Sequence, residues 1–210
     1  MIAAIGLAAA SRKGLLRDLV EVFVLAIGLY ILATTTVQTV RVVGTSMYPS
    51  LHDGDLLIAS KVDYRIHPIE RGDIVILKDP LDPSRDFIKR VVGLPGDRIQ
   101  IRDHHVLVNG GALSEPYVRA PWVQTGDWPG PGAISIDVVP SGSYFVLGDN
   151  RDHSSDSRVF GRVRQDAIDG KAVVRFWPFP RAEVLNLRPT LTNPHPFPQR
   201  SGAGPVGPLR

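Results

Sequence analysis

Cysteine is absent from the 210 residues. That removes disulfides, thiolate zinc sites, iron–sulfur clusters and a cysteine nucleophile together. Compartment stays open, because a core of the size this chain can build needs no disulfide. Aromatic side chains are scarce at 7%, and the net charge is only +3. With no recurring basic block, nothing favours nucleic acid as a partner. Internal repeats are lacking too. What is plentiful is glycine and proline, 20 and 18 residues, above the usual combined share of about 12%. A helical bundle is disfavoured, and a β-rich domain with many turns is expected.

Charge is missing from one long stretch. Val22 to Val40, VFVLAIGLYILATTTVQTV, has none. At ~1.5 Å per residue it would be about 28 Å long, close to the ~30 Å hydrocarbon core of a bilayer. Its threonines are tolerable there, since their hydroxyls can bond back to helix carbonyls. The stretch starts late, after Arg12, Lys13 and Arg17, and no small-residue cleavage site follows it. An uncleaved anchor is therefore expected, in preference to a signal peptide or a buried soluble helix. The same three cations precede the span, and only Arg41 follows it before Lys61. The positive-inside rule then puts the N-terminus in the cytoplasm and everything after Arg41 outside. The expected organisation is a cytoplasmic segment 1–21, a span 22–40, an extracytoplasmic domain 41–187 and a disordered Pro-rich tail 188–210.

From Asp55 onward the pattern turns to short Val/Ile-rich runs bounded by Gly, Pro, Asn or Asp: DLLIASKV, DIVILK, DFIKRVV, RIQIR, HVLVN, AISIDVV, SYFVL and KAVVRFW. Asp103-His104 and Asn109-Gly110 read as tight turns between successive strands. Residues 121–132 read as a Gly/Pro-rich loop, and Gln165–Ile168 as a short helix. The fold class expected is mostly β, an antiparallel sheet domain behind one N-terminal transmembrane helix.

Three segments carry chemistry. Gly44-Thr45-Ser46-Met47-Tyr48-Pro49 lies just after the apolar run, on a turn. It is not a nucleophile elbow, because Tyr48 stands where the second glycine would be, and no S-x-x-K occurs. In Asp86-Phe87-Ile88-Lys89-Arg90-Val91, strand alternation puts Phe87, Lys89 and Val91 on one face and Arg90 on the other. A lysine on an apolar face is either a snorkelling surface residue or a desolvated amine. Desolvation would lower its pKa and fit it to act as general base toward a hydroxyl. The third segment, Gly148 to Arg158, is dense in polar residues directly after an apolar strand. It reads as a solvated loop or as a network that orients a catalytic side chain.

Together these segments resemble the signature boxes of type I signal peptidases, membrane serine proteases of the Ser-Lys dyad class. GTSMYPSL resembles the nucleophile box, DFIKRVVGLPGD the general-base box and YFVLGDNRDHSSDSRVFG the third box, with further matches at RGDIVIL, VNG…EPYV and GKAVVRFWP. The resemblance covers roughly residues 15–180 in order. It implies Ser46 as nucleophile, with its N–H in the oxyanion hole, and Lys89 as general base. It implies Ser154 as a hydroxyl orienting that lysine, Asp156 and Arg158 as an ion pair, and Asp149 as partner of Arg90. Substrate contacts are implied for Met47, Asp86, Phe87 and Ile88. The implied activity is cleavage of signal peptides from exported preproteins after Ala-X-Ala-like sites, at the cytoplasmic membrane, without metal or cofactor. Implied partners are preproteins, membrane lipid and the neighbouring export machinery. Gly44 departs from relatives that carry serine two places before the nucleophile. A backbone N–H or Thr45 is then left to supply the second oxyanion donor.

Other chemistries fit less well. His52 and His153 raise a Ser-His-Asp arrangement, but His153 adjoins Ser154 on an extended loop and the two side chains diverge. His104-His105 raise a metal, yet neighbours on a strand point to opposite faces. Arg71-Gly72-Asp73 reads as a turn into a strand. The competing functions are a Ser-Lys protease dedicated to one substrate and an inactive anchored module that binds exported proteins.

Overall fold

The computed structural model describes residues 2–118, 122, 126–130 and 138–191. Two units emerge, one ending at Gln38 and the other beginning at Thr39. The first is a helix, α1 (Ile2–Thr36). Its Gly14–Thr36 part is long and apolar enough to cross a membrane, and residues 15–35 are exposed. The apolar helix is consistent with a single-pass anchor.

The charge-free stretch 22–40 is not one element, because the helix stops at Thr36. Thr34, Thr35 and Thr36 donate their hydroxyls to the carbonyls of Tyr30, Ile31 and Leu32 at 3.0, 2.8 and 2.7 Å. The β-branched run that follows favours extended backbone, and β1 (Val37–Arg41) begins there.

The second unit holds two antiparallel sheets. β2 (Leu56–Ser60), β3 (Ile74–Lys78), β4 (Asp86–Gly93), β8 (Ser143–Leu147), β9 (Val163–Arg164) and β10 (Ile168–Trp177) join β1 in the order β1-β2-β10-β3-β4-β8-β9, with β11 (Glu183–Val184) also on β10. The smaller sheet orders β5 (Ile99–Arg102), β6 (His105–Val108), β7 (Gly111–Ser114) and β12 (Thr190–Leu191) as β12-β7-β6-β5. Its hairpin turns are the expected ones. Asp103, His104, Asn109 and Gly110 all have positive φ (48°, 62°, 54° and 84°), the twist that two-residue hairpins need. A 3-10 turn occupies Gln165–Ala167. Of the expected strand AISIDVV, residues 133–137 lie outside the described residues, as does part of the expected loop 121–132.

Residues 188–191 depart from the expected disordered tail, while 192–210 lie outside the described residues. Pro189 and Arg188 press on Gly72, where an added Cβ would meet Pro189 Cδ at 2.6 Å. Arg188 pairs with Glu70, and β12 adds to β7. Backbone pairing and a close fit order this segment without apolar periodicity.

Strand alternation sorts β4 among three apolar clusters. Phe87 and Val91 pack with Val75, Leu77, Val146 and Tyr144. Val92 joins Ile99, Ile101 and Phe145, and Ile88 borders Leu51, Leu57 and Ile74. The strand that carries Lys89 is thereby fixed along most of its length.

Candidate active site

Three elements converge. The turn after β1 bears Ser46. Gly44 opens it at φ +86°, a left-handed conformation that suits glycine, with its N–H bound to Asp53 Oδ1 at 2.8 Å. Asn150 clamps the turn from the loop after β8: its N–H reaches the Ser46 carbonyl at 3.0 Å, and its side-chain amide reaches the Thr45 carbonyl at 3.1 Å.

β4 brings Lys89 to Ser46, with Nζ 3.1 Å from Ser46 Oγ. Nζ also donates to the Ile88 carbonyl at 3.0 Å and lies 4.7 Å from the centre of the Phe87 ring. Lys89 is 3% exposed. Burial pushes its pKa down to about 8, against the opposing pull of Asp156, Asp79 and Asp149. At pH 7 roughly a tenth of such an amine is neutral, about 300-fold more than for an ordinary lysine.

Arg90, on the opposite face, is 1% exposed. It donates to Asp149 through Nε and Nη2 at 2.8 and 2.7 Å. Nη1 donates to the carbonyls of Gly72 and Leu187, both at 2.9 Å, and the guanidinium lies 3.9 Å above the Tyr117 ring. Two charge-assisted bonds and two carbonyls satisfy this buried cation.

The third segment is a buried lattice rather than a solvated loop. Asp156 accepts from Gly148 N–H at 3.0 Å and pairs with Arg158 Nε at 2.7 Å. Arg158 also donates to the Arg151 carbonyl at 2.7 Å. Arg151 donates to the Gly148 carbonyl at 3.0 Å and to both oxygens of Glu115 at 2.9 and 2.6 Å. The sequence reading missed Glu115. It lies 36 positions from Arg151, and only its place in the EPYV match singled it out.

The structure gives two of the expected residues a different setting. Ser154 Oγ is buried with no hydrogen-bond partner. It faces Gly148, where an added Cβ would sit 2.2 Å from it, and Lys89 bonds to the Ile88 carbonyl instead. Met47, expected to touch substrate, is 1% exposed and packs with Val42, Leu51, Leu57 and Ala172. It supports the turn from below and offers a substrate almost no surface. Asp86 is exposed, while Phe87 and Ile88 are half-buried, at the outer end of β4. Of the rival groups, His104 packs edge-on to Trp122, His52 edge-on to Tyr48, and Asp73 is buried and paired with Lys171.

The family model "Signal peptidase, peptidase S26" matches residues 16–177. The chain belongs to this family. Signal peptidase I of Bacillus caldolyticus is 45% identical over 65% of this chain and 77% of its own length. Signal peptidase IB of Staphylococcus aureus (strain N315) is 34% identical over 80% of this chain and 92% of its own. A solved signal peptidase I from Enterococcus faecalis V583 aligns at 37% identity and a TM-score of 0.46, covering 51% of this chain and 99% of that one. As a member of the signal peptidase family the chain is a peptide-bond hydrolase. All three segments described above fall inside the matched range.

Proposed function

We propose that this chain is a membrane-anchored serine endopeptidase that removes signal peptides from exported preproteins after Ala-X-Ala-like sites. The observation that carries the reading is a buried, partly neutral Lys89 amine 3.1 Å from the Ser46 hydroxyl.

In its neutral form Lys89 accepts the Ser46 proton as Oγ attacks the scissile carbonyl. The Ser46 N–H binds the developing oxyanion. Gly44 N–H is engaged by Asp53, which leaves another backbone N–H or Thr45 as the second donor. The Lys89 ammonium returns its proton to the leaving amine, an acyl-enzyme forms, and the neutral lysine then activates water to release it. Asn150, Asp156 and Gly148 hold the turn and the loop in register.

β8 pairs with β4 only from Arg90 onward. Asp86, Phe87 and Ile88 therefore offer a strand edge on that side, against which an extended peptide can add. Helix α1 anchors the enzyme with its N-terminus in the cytoplasm, by the charges of Arg12, Lys13 and Arg17. Tethering of both enzyme and preprotein to one bilayer supplies much of the positioning.

The test is cleavage of a preprotein with an Ala-X-Ala site by the full chain in detergent, beside Ser46→Ala. Cutting after that motif by the wild type alone is expected. Equal cutting by both moves catalysis to another residue. Binding without cutting by either favours the inactive module.

A further inference from the structure

Lys89 is screened on one side by the ring of Phe87, and Phe87 is not self-supporting. It sits at the outer, half-buried end of β4, beyond the last register pair with β8. What lies against it is Phe160, whose ring stacks on it at 6.1 Å between centroids and 27° between planes. Both rings border the cluster built on Val75, Leu77, Val91 and Val146.

Phe160 closes a short helix, α2 (Ser157–Phe160), whose position is set by the lattice around the site. Asp156 caps it, accepting from Arg158 N–H at 3.3 Å with Oδ1, while Oδ2 takes the Gly148 N–H. The Asp156 carbonyl accepts the Val159 and Phe160 N–H groups at 2.8 and 3.1 Å. Gly161, at φ +82°, then turns the chain away. One residue thus fixes both the backbone beside Ser46 and the ring behind Phe87.

We propose that Phe160 is a positioning residue of this site: stacked on Phe87, it pins that ring over the Lys89 amine and keeps water from it. The inference rests on Lys89 acting as the general base. Phe160 touches no reacting atom, so it acts through Phe87. Other groups also bear on the amine. Asp79 faces it from the β3–β4 hairpin, and Asp149 and Asp156 from the loop after β8. Arg85 lies 5.8 Å from the Phe87 ring centre and pairs with Asp79. Arg158 neutralises part of Asp156, and Arg90 is turned to the other face with Asp149. None of these charged groups is altered by changing Phe160, so a change in the lysine's titration reports on its solvation.

The experiment compares Phe160→Ala, Phe160→Leu and Phe160→Tyr in the full chain in detergent. Two quantities are read: the pH dependence of kcat/KM on the Ala-X-Ala preprotein, and the titration of Lys89 itself by NMR of labelled lysine in a Ser46→Ala background. Phe160→Leu keeps apolar bulk in the cluster and guards against loss of fold. Admitting water raises the lysine's affinity for its proton. The rising limb of the pH–rate curve should therefore move up by about one pH unit in Phe160→Ala, an approximately tenfold loss at pH 7 that is recovered in alkali. Phe160→Leu should give a smaller shift of the same sign, and Phe160→Tyr should restore the curve. A loss equal at every pH, or a Lys89 titration unmoved in Phe160→Ala, overturns the proposal. A Lys89 titration that moves while the pH–rate curve does not supports the brace and overturns the general-base reading instead.

Discussion

Lys89 and Arg90 are neighbours on β4, nearly equally buried, and opposite in what surrounds them. Arg90 faces a carboxylate in bidentate contact, two carbonyls and a tyrosine ring. Lys89 faces a hydroxyl, one carbonyl and a phenylalanine ring, with its nearest carboxylates engaged elsewhere. A buried charge with its partner in contact stays charged and holds the fold together. One whose partners are withheld drifts toward neutrality. The Arg90 face of the strand is paired and the Lys89 face, where the proposed general base lies, is not, and the difference lies in the placement of Asp149 and Asp156.

The largest effect that sharpens this contrast is on turnover. Lys89→Met should lower kcat for the preprotein by about 10⁴-fold or more, as loss of one member of a catalytic unit does, with the fold intact by circular dichroism. Next comes Arg90→Met, which leaves the Asp149 carboxylate buried and unpaired. It should cost about 3–5 kcal/mol of stability in denaturant titrations. Arg90→Met combined with Asp149→Leu should recover most of that loss. If the single variant is as stable as wild type, the structural role of that face is refuted.

Gly148→Ala is intermediate. Its methyl group would fall 2.2 Å from Ser154 Oγ and 2.5 Å from the Ser46 carbonyl oxygen, so the Ser46 turn must shift. We expect kcat to fall about 100-fold, since displacements near 1 Å cost that much in an oriented site.

The smallest effect runs the other way. Lys89 binds its proton less tightly folded, at about 8, than unfolded, near its ordinary 10.5. The unfolded chain therefore carries more protons between those values, and stability rises with pH across that window. Below it the buried amine is a full cost. Lys89→Met should accordingly stabilise the fold by about 1–3 kcal/mol at pH 7, and the gain should fade as pH climbs from about 8 to 10.5. A destabilised Lys89→Met at pH 7 would break the contrast between the two cations.

Much of this was legible in the chain. Period-two alternation in DFIKRVV put Lys89 and Arg90 on opposite faces, and both hairpin turns stood out by their Asp-His and Asn-Gly pairs. The end of α1 was not legible. Threonines that bond back to the helix and threonines that start a strand look alike, so Val37–Val40 read as membrane span. The burial of Met47 was not legible, because a turn has no periodicity to tell its buried from its open side. The Arg151–Glu115 pair and the strand at Thr190–Leu191 depend on contacts across distant parts of the chain, which no local pattern encodes. Family membership was legible from the three segments together and from none of them alone.

The central claim is that burial lowers the Lys89 pKa to about 8 while Arg90 stays charged. The direct measurement is the pH titration of Lys89 in the full chain, followed by NMR of labelled lysine beside the pH dependence of kcat/KM. The account predicts that both share one midpoint, at about 8. A lysine that titrates near 10.5 in the folded enzyme, or a rate that passes through pH 8 without change, would contradict it.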